Sequence, residues 1–264
     1  MTDSFIKAQA ENYAKKRFAR ASKAEQEKLI ADWSAKVETS RQLVNDFKKR
    51  VGDPAGLKLL DAGCGNGGLA IAFFEAGALV YAVDLEEELI SIAKAHAAVY
   101  RVAPSFVLYD GRRLPFSDNF FDAAASISVL EHTDDPVWYL SEILRVLKPG
   151  GRLYLAWPNR LWPKETHTLL WGLAYLPRPL ADRLIRFFKR CPLKDNNLHF
   201  YNYWQVEKII SQAEAETGRF KILAEPGQSA NPLKNIIKKC LNIFGLPYKA
   251  FLPHIQLILW KIKK

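Results

Sequence analysis

The apolar positions change their spacing twice along this chain. From residue 3 to residue 50 they are scattered as helices require. Phe5, Ile6, Tyr13, Phe18, Leu29, Ile30, Trp33, Val37, Leu43, Val44 and Phe47 stand among Ala, Lys, Glu and Gln, without Gly or Pro. "GDPAG" at 52–56 breaks the pattern.

Short apolar runs then alternate with helical periods. "LKLLDAG", "LVYAVDL", "SFVLYD", "FDAAASIS" and "RLYLAWP" read as five buried strands. "GGLAIAFFEAG", "EEELISIAKAHAAVYR" and "DPVWYLSEILRVLKPGG" read as helices, the last stopping before Pro149-Gly150-Gly151. Strands that alternate with helices predict a parallel sheet covered on both faces. The C-terminal part is less regular. "HTLLWGLAYLPRPLADRLIRFFKR" predicts two apolar helical pieces around a Pro-rich turn, and "NYWQVEKIISQAEAETG" a helix. "FKILAEP" and "HIQLILWKIKK" predict two final strands. The expectation is an α/β, Rossmann-like, doubly wound and mostly parallel seven-stranded sheet with helices on both faces. Residues 1–50 form an N-terminal helical arm and 51–264 the main domain. A helical insertion follows strand five at about 158–200, and a second excursion lies at about 227–252.

Charge sharpens this picture. The net +10 is uneven: about +5 in residues 1–50, about −6 in 51–156 and about +11 in 157–264. A basic flank attracts phosphates or an anionic membrane surface. Cys64, Cys191 and Cys240 are widely spaced with no CxxC, which disfavours a disulfide framework or a zinc site and suits a reducing, cytoplasmic setting. The polar N-terminus has no apolar core of a signal peptide, and no uncharged stretch reaches the ~18 residues of a membrane span.

The candidate chemistry begins at "LLDAGCGNGG", residues 59–68. Gly63, Gly65 and Gly68 satisfy G-x-G-x-x-G, the dinucleotide pattern, and Asp84 ends the next strand where a ribose is held. Three details point to a different nucleoside. Asp61 sits beside the loop, where a carboxylate can reach a cationic amine that a pyrophosphate site has no use for. Asp110 and Gly111 close strand three, where a carboxylate and an N–H can meet the edge of adenine. "LKPGGRLYLAWPN" supplies a Pro-Gly-Gly turn into strand five.

With "LLDAGCGNG", "VYAVDL", "LYDGRRLPFSDNFFDAAASISVLEH" and "LRVLKPGGRLYLAWPN" in this order, residues 55–160 resemble a class I S-adenosylmethionine-dependent methyltransferase. The resemblance is to the group containing the ubiquinone and menaquinone biosynthesis methyltransferases. It implies S-adenosylmethionine as cofactor. Asp61, Gly63 and Gly65 would line its methionine end, with Cys64 and Asn66 beside them. Asp84 would hold the ribose hydroxyls, with Leu85 against the adenine. Asp110 and Gly111 would grip the adenine edge. Ser126 and Ile127 would face the sulfonium.

Methyl transfer from a sulfonium needs alignment and exclusion of water, and a base only when the acceptor must lose a proton. His132, His167 and His199 are the candidate catalytic residues. In the ubiquinone O-methyltransferases a Glu-x-x-Glu-His pattern binds a divalent metal. This chain keeps Glu131 and His132 but has Ser128 at the first position, so no metal is expected. The insertion carries large aromatics and leucines followed by Lys and Arg, as interfacial helices do. It predicts a small acceptor, hydrophobic or lipid-linked and methylated at oxygen or carbon, with peripheral contact to an anionic membrane. The same residues also suit a lid packed on the core. Nucleic acid is not the expected partner: "SISVLEH" stands where base-amino methyltransferases carry Asn/Asp-Pro-Pro-aromatic. The alternatives are an RNA-binding methyltransferase and a non-catalytic S-adenosylmethionine-binding protein.

Overall fold

The computed structural model describes residues 2–19, 21–190, 197–217, 220–222, 239, 241, 243 and 245–262. Three helices open the chain: α1 (Thr2–Arg17), α2 (Lys23–Ser34) and α3 (Lys36–Arg50). α2 starts on a capping box, with the Glu25 N–H donating to Ser22 and the Ser22 N–H donating to Glu25. The alternating region then gives β1 (Lys58–Ala62), α4 (Gly68–Glu75), β2 (Leu79–Asp84), α5 (Glu87–Tyr100), β3 (Ser105–Leu108), β4 (Phe121–Ile127), α6 (Pro136–Val146) and β5 (Leu147–Pro158). α7 (Arg178–Phe187), α8 (Tyr203–Thr217), β6 (Phe220–Ile222) and β7 (His254–Lys261) complete it.

The seven strands form one sheet in the order β3-β2-β1-β4-β5-β7-β6. β1 pairs in parallel with β2 and β4, β2 with β3, and β4 with β5. β7 runs antiparallel between β5 and β6. The sheet is therefore parallel apart from one antiparallel strand. The order reverses between β1 and β4, which opens a crevice at their carboxyl ends. One apolar core, with Leu60, Leu153 and Trp157, packs α6 and α8 on one face. A second, with Phe47, Phe73 and Tyr154, packs α3 and α4 on the other.

Two elements differ from the sequence expectation. α6 ends at Val146 and β5 begins at Leu147, so the Pro-Gly-Gly turn lies within the strand. Gly150 takes φ +87, and a Cβ on Gly151 would lie 2.8 Å from the Lys148 carbonyl. Gly150 thus holds a left-handed backbone and Gly151 has no room for a Cβ, so both positions call for glycine. The first piece of the insertion is not an α-helix. Leu169 and Gly172 both take positive φ, and Lys164 bridges Trp171, leaving a single 3-10 turn at Leu173–Tyr175. The left-handed residues interrupt what the apolar spacing suggested. α7 is the other piece, and the insertion closes over its own cluster of Leu170, Leu173, Ala181, Ile185 and Leu198. Most of the excursion expected at 227–252 lies outside the described residues, as do Cys191, Cys240 and the "LAEP" end of the sixth strand.

Candidate functional site

A cavity of about 1280 Å³ opens at the carboxyl ends of β1, β2 and β4. Of the residues singled out in the sequence, Asp61, Gly63, Cys64, Gly65, Asn66, Asp84, Leu85, Asp110, Gly111, Ile127, His132 and His167 line it.

At its centre the β1 loop turns on glycines. Gly63 takes φ +80 and Gly65 φ +53. The Gly65 N–H donates to Asp84 Oδ2 at 2.8 Å, which ties the loop to the end of β2. Asp84 Oδ1 accepts from the Leu85 and Glu86 N–H groups at 2.8 and 3.1 Å, so the carboxylate is clamped while its edge borders the cavity. Burial raises its pKa, with the three N–H donors opposing. Asn66 caps the turn into α4, accepting the Gly68 N–H through Oδ1 at 3.2 Å. The third glycine of the pattern acts in packing. A Cβ on Gly68 would meet Lys36 Cγ at 2.5 Å, so its absence lets α3 press against α4.

Asp61 is 2 % exposed, and its Oδ2 has no hydrogen-bond partner. Burial pushes its pKa up to about 7, against a lowering by Lys36 and a further rise from Asp84. A buried acceptor left open is costly unless a ligand completes it, so the site fits a cationic group at this point. At the other end, Leu85 is exposed within the cavity, and a Cβ on Gly111 would lie 3.1 Å from its Cδ2. Leu85 and Gly111 thus border a slot. Asp110 stands beside it, its carboxyl lowered by the Arg112 N–H it accepts. Cys64 is buried, and burial pushes its thiol well up, so it is a packed wall and not a nucleophile. Ser126 does not line the cavity. Its Oγ pairs at 2.8 Å with Tyr139 Oη, and Tyr139, which also donates to the Ala62 carbonyl, supplies the wall.

The histidines divide. His132 and His167 face each other across 5.2 Å, ring edge to ring face. With Glu131 they place three possible metal-ligating atoms within 4.8 Å of one another. His167 Nδ1 donates to Glu165 Oε1 at 2.8 Å, and Glu165 is also held by Thr168 N–H and Oγ1. His199 does not line the cavity. Its N–H donates to the Glu131 carbonyl at 2.8 Å, and its ring lies behind, against Asn197 and Tyr201.

Several lining residues went unseen in the sequence. Tyr13, Arg17, Phe18, Trp33 and Lys36 come from α1–α3, which lie across the mouth. Tyr13 stacks on Trp33 at 4.9 Å and donates to Glu86 Oε2 at 3.1 Å. Lys16 pairs with Glu88 at 2.8 Å. From the far side, the Arg190 guanidinium reaches Ser22 Oγ and Glu25. Helical periodicity marked these faces as buried but could not say what they cover.

Comparisons with known proteins agree with this architecture. A family model described as a methyltransferase domain matches residues 60–155. A ubiquinone biosynthesis O-methyltransferase of Coxiella burnetii is 30% identical over 180 residues, covering 68% of this chain and 70% of the relative. The magnesium protoporphyrin IX methyltransferase of Synechocystis PCC 6803, solved with S-adenosylmethionine's product S-adenosylhomocysteine bound, superposes with a TM-score of 0.56. It is 19% identical and covers 95% of this chain and 97% of that one. An S-adenosylmethionine-dependent methyltransferase of Aquifex aeolicus gives a TM-score of 0.55 at 15% identity, with 86% and 92% covered. The chain belongs to the class I S-adenosylmethionine-dependent methyltransferases. It is an enzyme that transfers a methyl group from S-adenosylmethionine to a small acceptor.

Proposed function

We propose that the acceptor is a small, mostly apolar molecule methylated at oxygen or carbon, and that a lipid tail keeps it at a membrane surface. The observation that carries this reading is the outer face of the insertion. Phe187 is 78 % exposed and Trp171 71 %, with Tyr175, Leu180 and Phe188 also bare. Arg183 and Arg186 lie on α7 beside them. Apolar side chains among cations are what an anionic bilayer surface attracts. No helix among the described residues is long and apolar enough to cross a membrane. The name of the Coxiella burnetii relative supports transfer to oxygen.

The cofactor supplies a methyl group already activated by the sulfonium charge. The chain's part is to hold, align and dry the site. In this reading Asp61 pairs with the ammonium of the methionine end, Gly63 and Gly65 let the backbone approach it, and Cys64 and Asn66 wall it. Asp84 takes the ribose hydroxyls. Leu85, Asp110 and Gly111 take the adenine. Ile127, with Ser126 acting through Tyr139, borders the sulfonium. α1 and α2 exclude water over the donor. His132 and His167 stand at the acceptor end, with Trp162 and Leu169 as apolar wall.

The test is a product screen by mass spectrometry over quinol precursors, lipid-linked sugars and fatty acids, run with S-adenosylmethionine and anionic vesicles. A product heavier by one methyl from a tailed acceptor is expected. Transfer confined to charged, tail-free acceptors would overturn the reading.

A further inference from the structure

We propose that the acceptor carries a carboxylate, and that Lys164 and His254, with Lys28 across from them, hold it at the acceptor end of the cavity. The three side chains come from separate elements. Lys28 stands on α2, Lys164 in the insertion and His254 at the first position of β7, and all three border the cavity. Neither the Lys164 ammonium nor the His254 ring has a hydrogen-bond or ion-pair partner among the described residues. Lys28 pairs with Asp32 one turn further on, yet its charge still acts on both His167 and His254. Nearby carboxylates are already engaged, Asp32 by Lys28 and Glu165 by His167 and Thr168. Open donors and an unspent positive charge on a cavity wall fit an anionic oxygen group.

The charge balance selects that group. Asp32 offsets Lys28, so the full charge left over is that of Lys164, with the His254 ring beside it as a further donor. This matches a carboxylate, with its single negative charge, better than a phosphate monoester, which carries close to two.

Topology makes the carboxylate an anchor, apart from the reacting atom. The sheet order places β7 two strands from β4, whose end at Ile127 borders the sulfonium in the methyl-transfer reading. Neighbouring strands lie about 4.8 Å apart, so the anchor stands about 10 Å from that point. Ile127 pairs with Ala156, whereas His254 pairs with Pro158 further along β5, which adds to the separation. Trp162 and Leu169 give the same cavity an apolar wall. The acceptor this selects has an apolar body, a carboxylate at one end and its methyl-accepting atom well away from it. The proposal rests on the methyl-transfer reading for the place of the methyl.

The experiment uses the full chain saturated with S-adenosylhomocysteine and calorimetry with 2-naphthoate, 2-naphthamide, 2-naphthyl phosphate and acetate. 2-Naphthoate should bind at least about fivefold more tightly than the amide of the same shape, and more tightly than the phosphate. Lys164→Gln and His254→Gln should each lose about 3- to 10-fold in naphthoate affinity and nothing in naphthamide affinity, with the melting temperature retained. Lys164→Arg should bind naphthoate as the parent does, and so should Lys221→Gln, on β6. Parallel losses for both probes in Lys164→Gln and His254→Gln, or an equal loss in Lys221→Gln, would overturn the site. Tighter binding of the phosphate would overturn the choice of carboxylate. Two outcomes separate the anchor from the apolar-acceptor reading. Naphthamide binding as tightly as naphthoate removes the anchor and leaves the apolar acceptor standing. Acetate binding as tightly as naphthoate, and weakened in Lys164→Gln, keeps the anchor and overturns the apolar acceptor.

Discussion

Val129 closes over Gly63 so tightly that a Cβ on the glycine would lie 2.5 Å from its Cγ2. The glycine also holds φ +80. Gly63→Ala must relieve both the strain and the overlap, at a cost of about 1–3 kcal/mol. The loop that moves also carries Gly65, so donor affinity should fall at least about tenfold along with the melting temperature. Calorimetry with S-adenosylmethionine and a thermal melt check this. An unaltered affinity would show that the loop does not approach the donor.

If Asp61 pairs with the donor's ammonium as proposed, donor binding should depend on pH. Its carboxyl titrates at about 7 in the free protein, raised by burial. Lys36 opposes that rise and Asp84 adds to it. A raised folded pKa contributes stability below the unfolded value of about 3.9, and that contribution is lost as pH climbs through about 7. Free enzyme should therefore weaken over this window. Donor binding should run the other way, because only the ionised carboxylate pairs with an ammonium. Affinity should rise several-fold between about pH 5.5 and 7. Asp61→Asn should bind weakly and flatten the profile. A profile of unchanged slope in Asp61→Asn would remove the ammonium role.

Tyr13 is one of the arm's polar contacts with the start of α5, beside the Lys16–Glu88 and Arg17–Glu86 ion pairs. Tyr13→Phe deletes the bond to Glu86 and keeps the stacking on Trp33. A hydrogen bond to a charged group contributes about 1.5–3 kcal/mol, only part of which reaches the donor. The expected result is a donor that dissociates about 3- to 10-fold faster, with an unchanged melting temperature for the core. Stopped-flow release reads this directly, and an unchanged rate would mean the arm does not retain the donor.

The bare aromatics of α7 can be tested without touching the cavity. Phe187→Ser combined with Phe188→Ser should weaken sedimentation with anionic vesicles at low salt by at least about tenfold. Activity on a tail-free acceptor should persist. If the parent chain fails to sediment, the membrane role of the insertion is wrong.

How much the sequence revealed depends on the range of each interaction. The β1 loop, Asp84 and the β3 end were legible because strand, turn and helix are neighbours in the chain, so spacing fixes geometry. β7 was legible from "HIQLILWK", whose compact β-branched run suits a central strand, although its antiparallel direction was not. Leu169 and Gly172 hid the real shape of the insertion. Their positive φ is set by tertiary packing and leaves no mark on apolar spacing. His167 could be named, but its approach to Glu131 and His132 spans an insertion and has no period. Ser126 is fully buried and meets the cavity wall through the Tyr139 hydroxyl, a pairing between strand and helix that apolar spacing does not reveal.

The bond from Arg190 to Ser22 joins residues 168 positions apart. The cover over the cavity is thus clasped by a contact of long reach. Such contacts carry the greatest loop-closure cost and form late in folding. α1 and α2 are made before the elements they serve: α1 has no α5 to rest on until the alternating region follows, and no clasp exists until the chain has passed α7. The arm should therefore be the first part to exchange its amide protons and the first that a protease cuts. A chain truncated after β5 would be expected to keep its central strands while leaving its earliest helices loose.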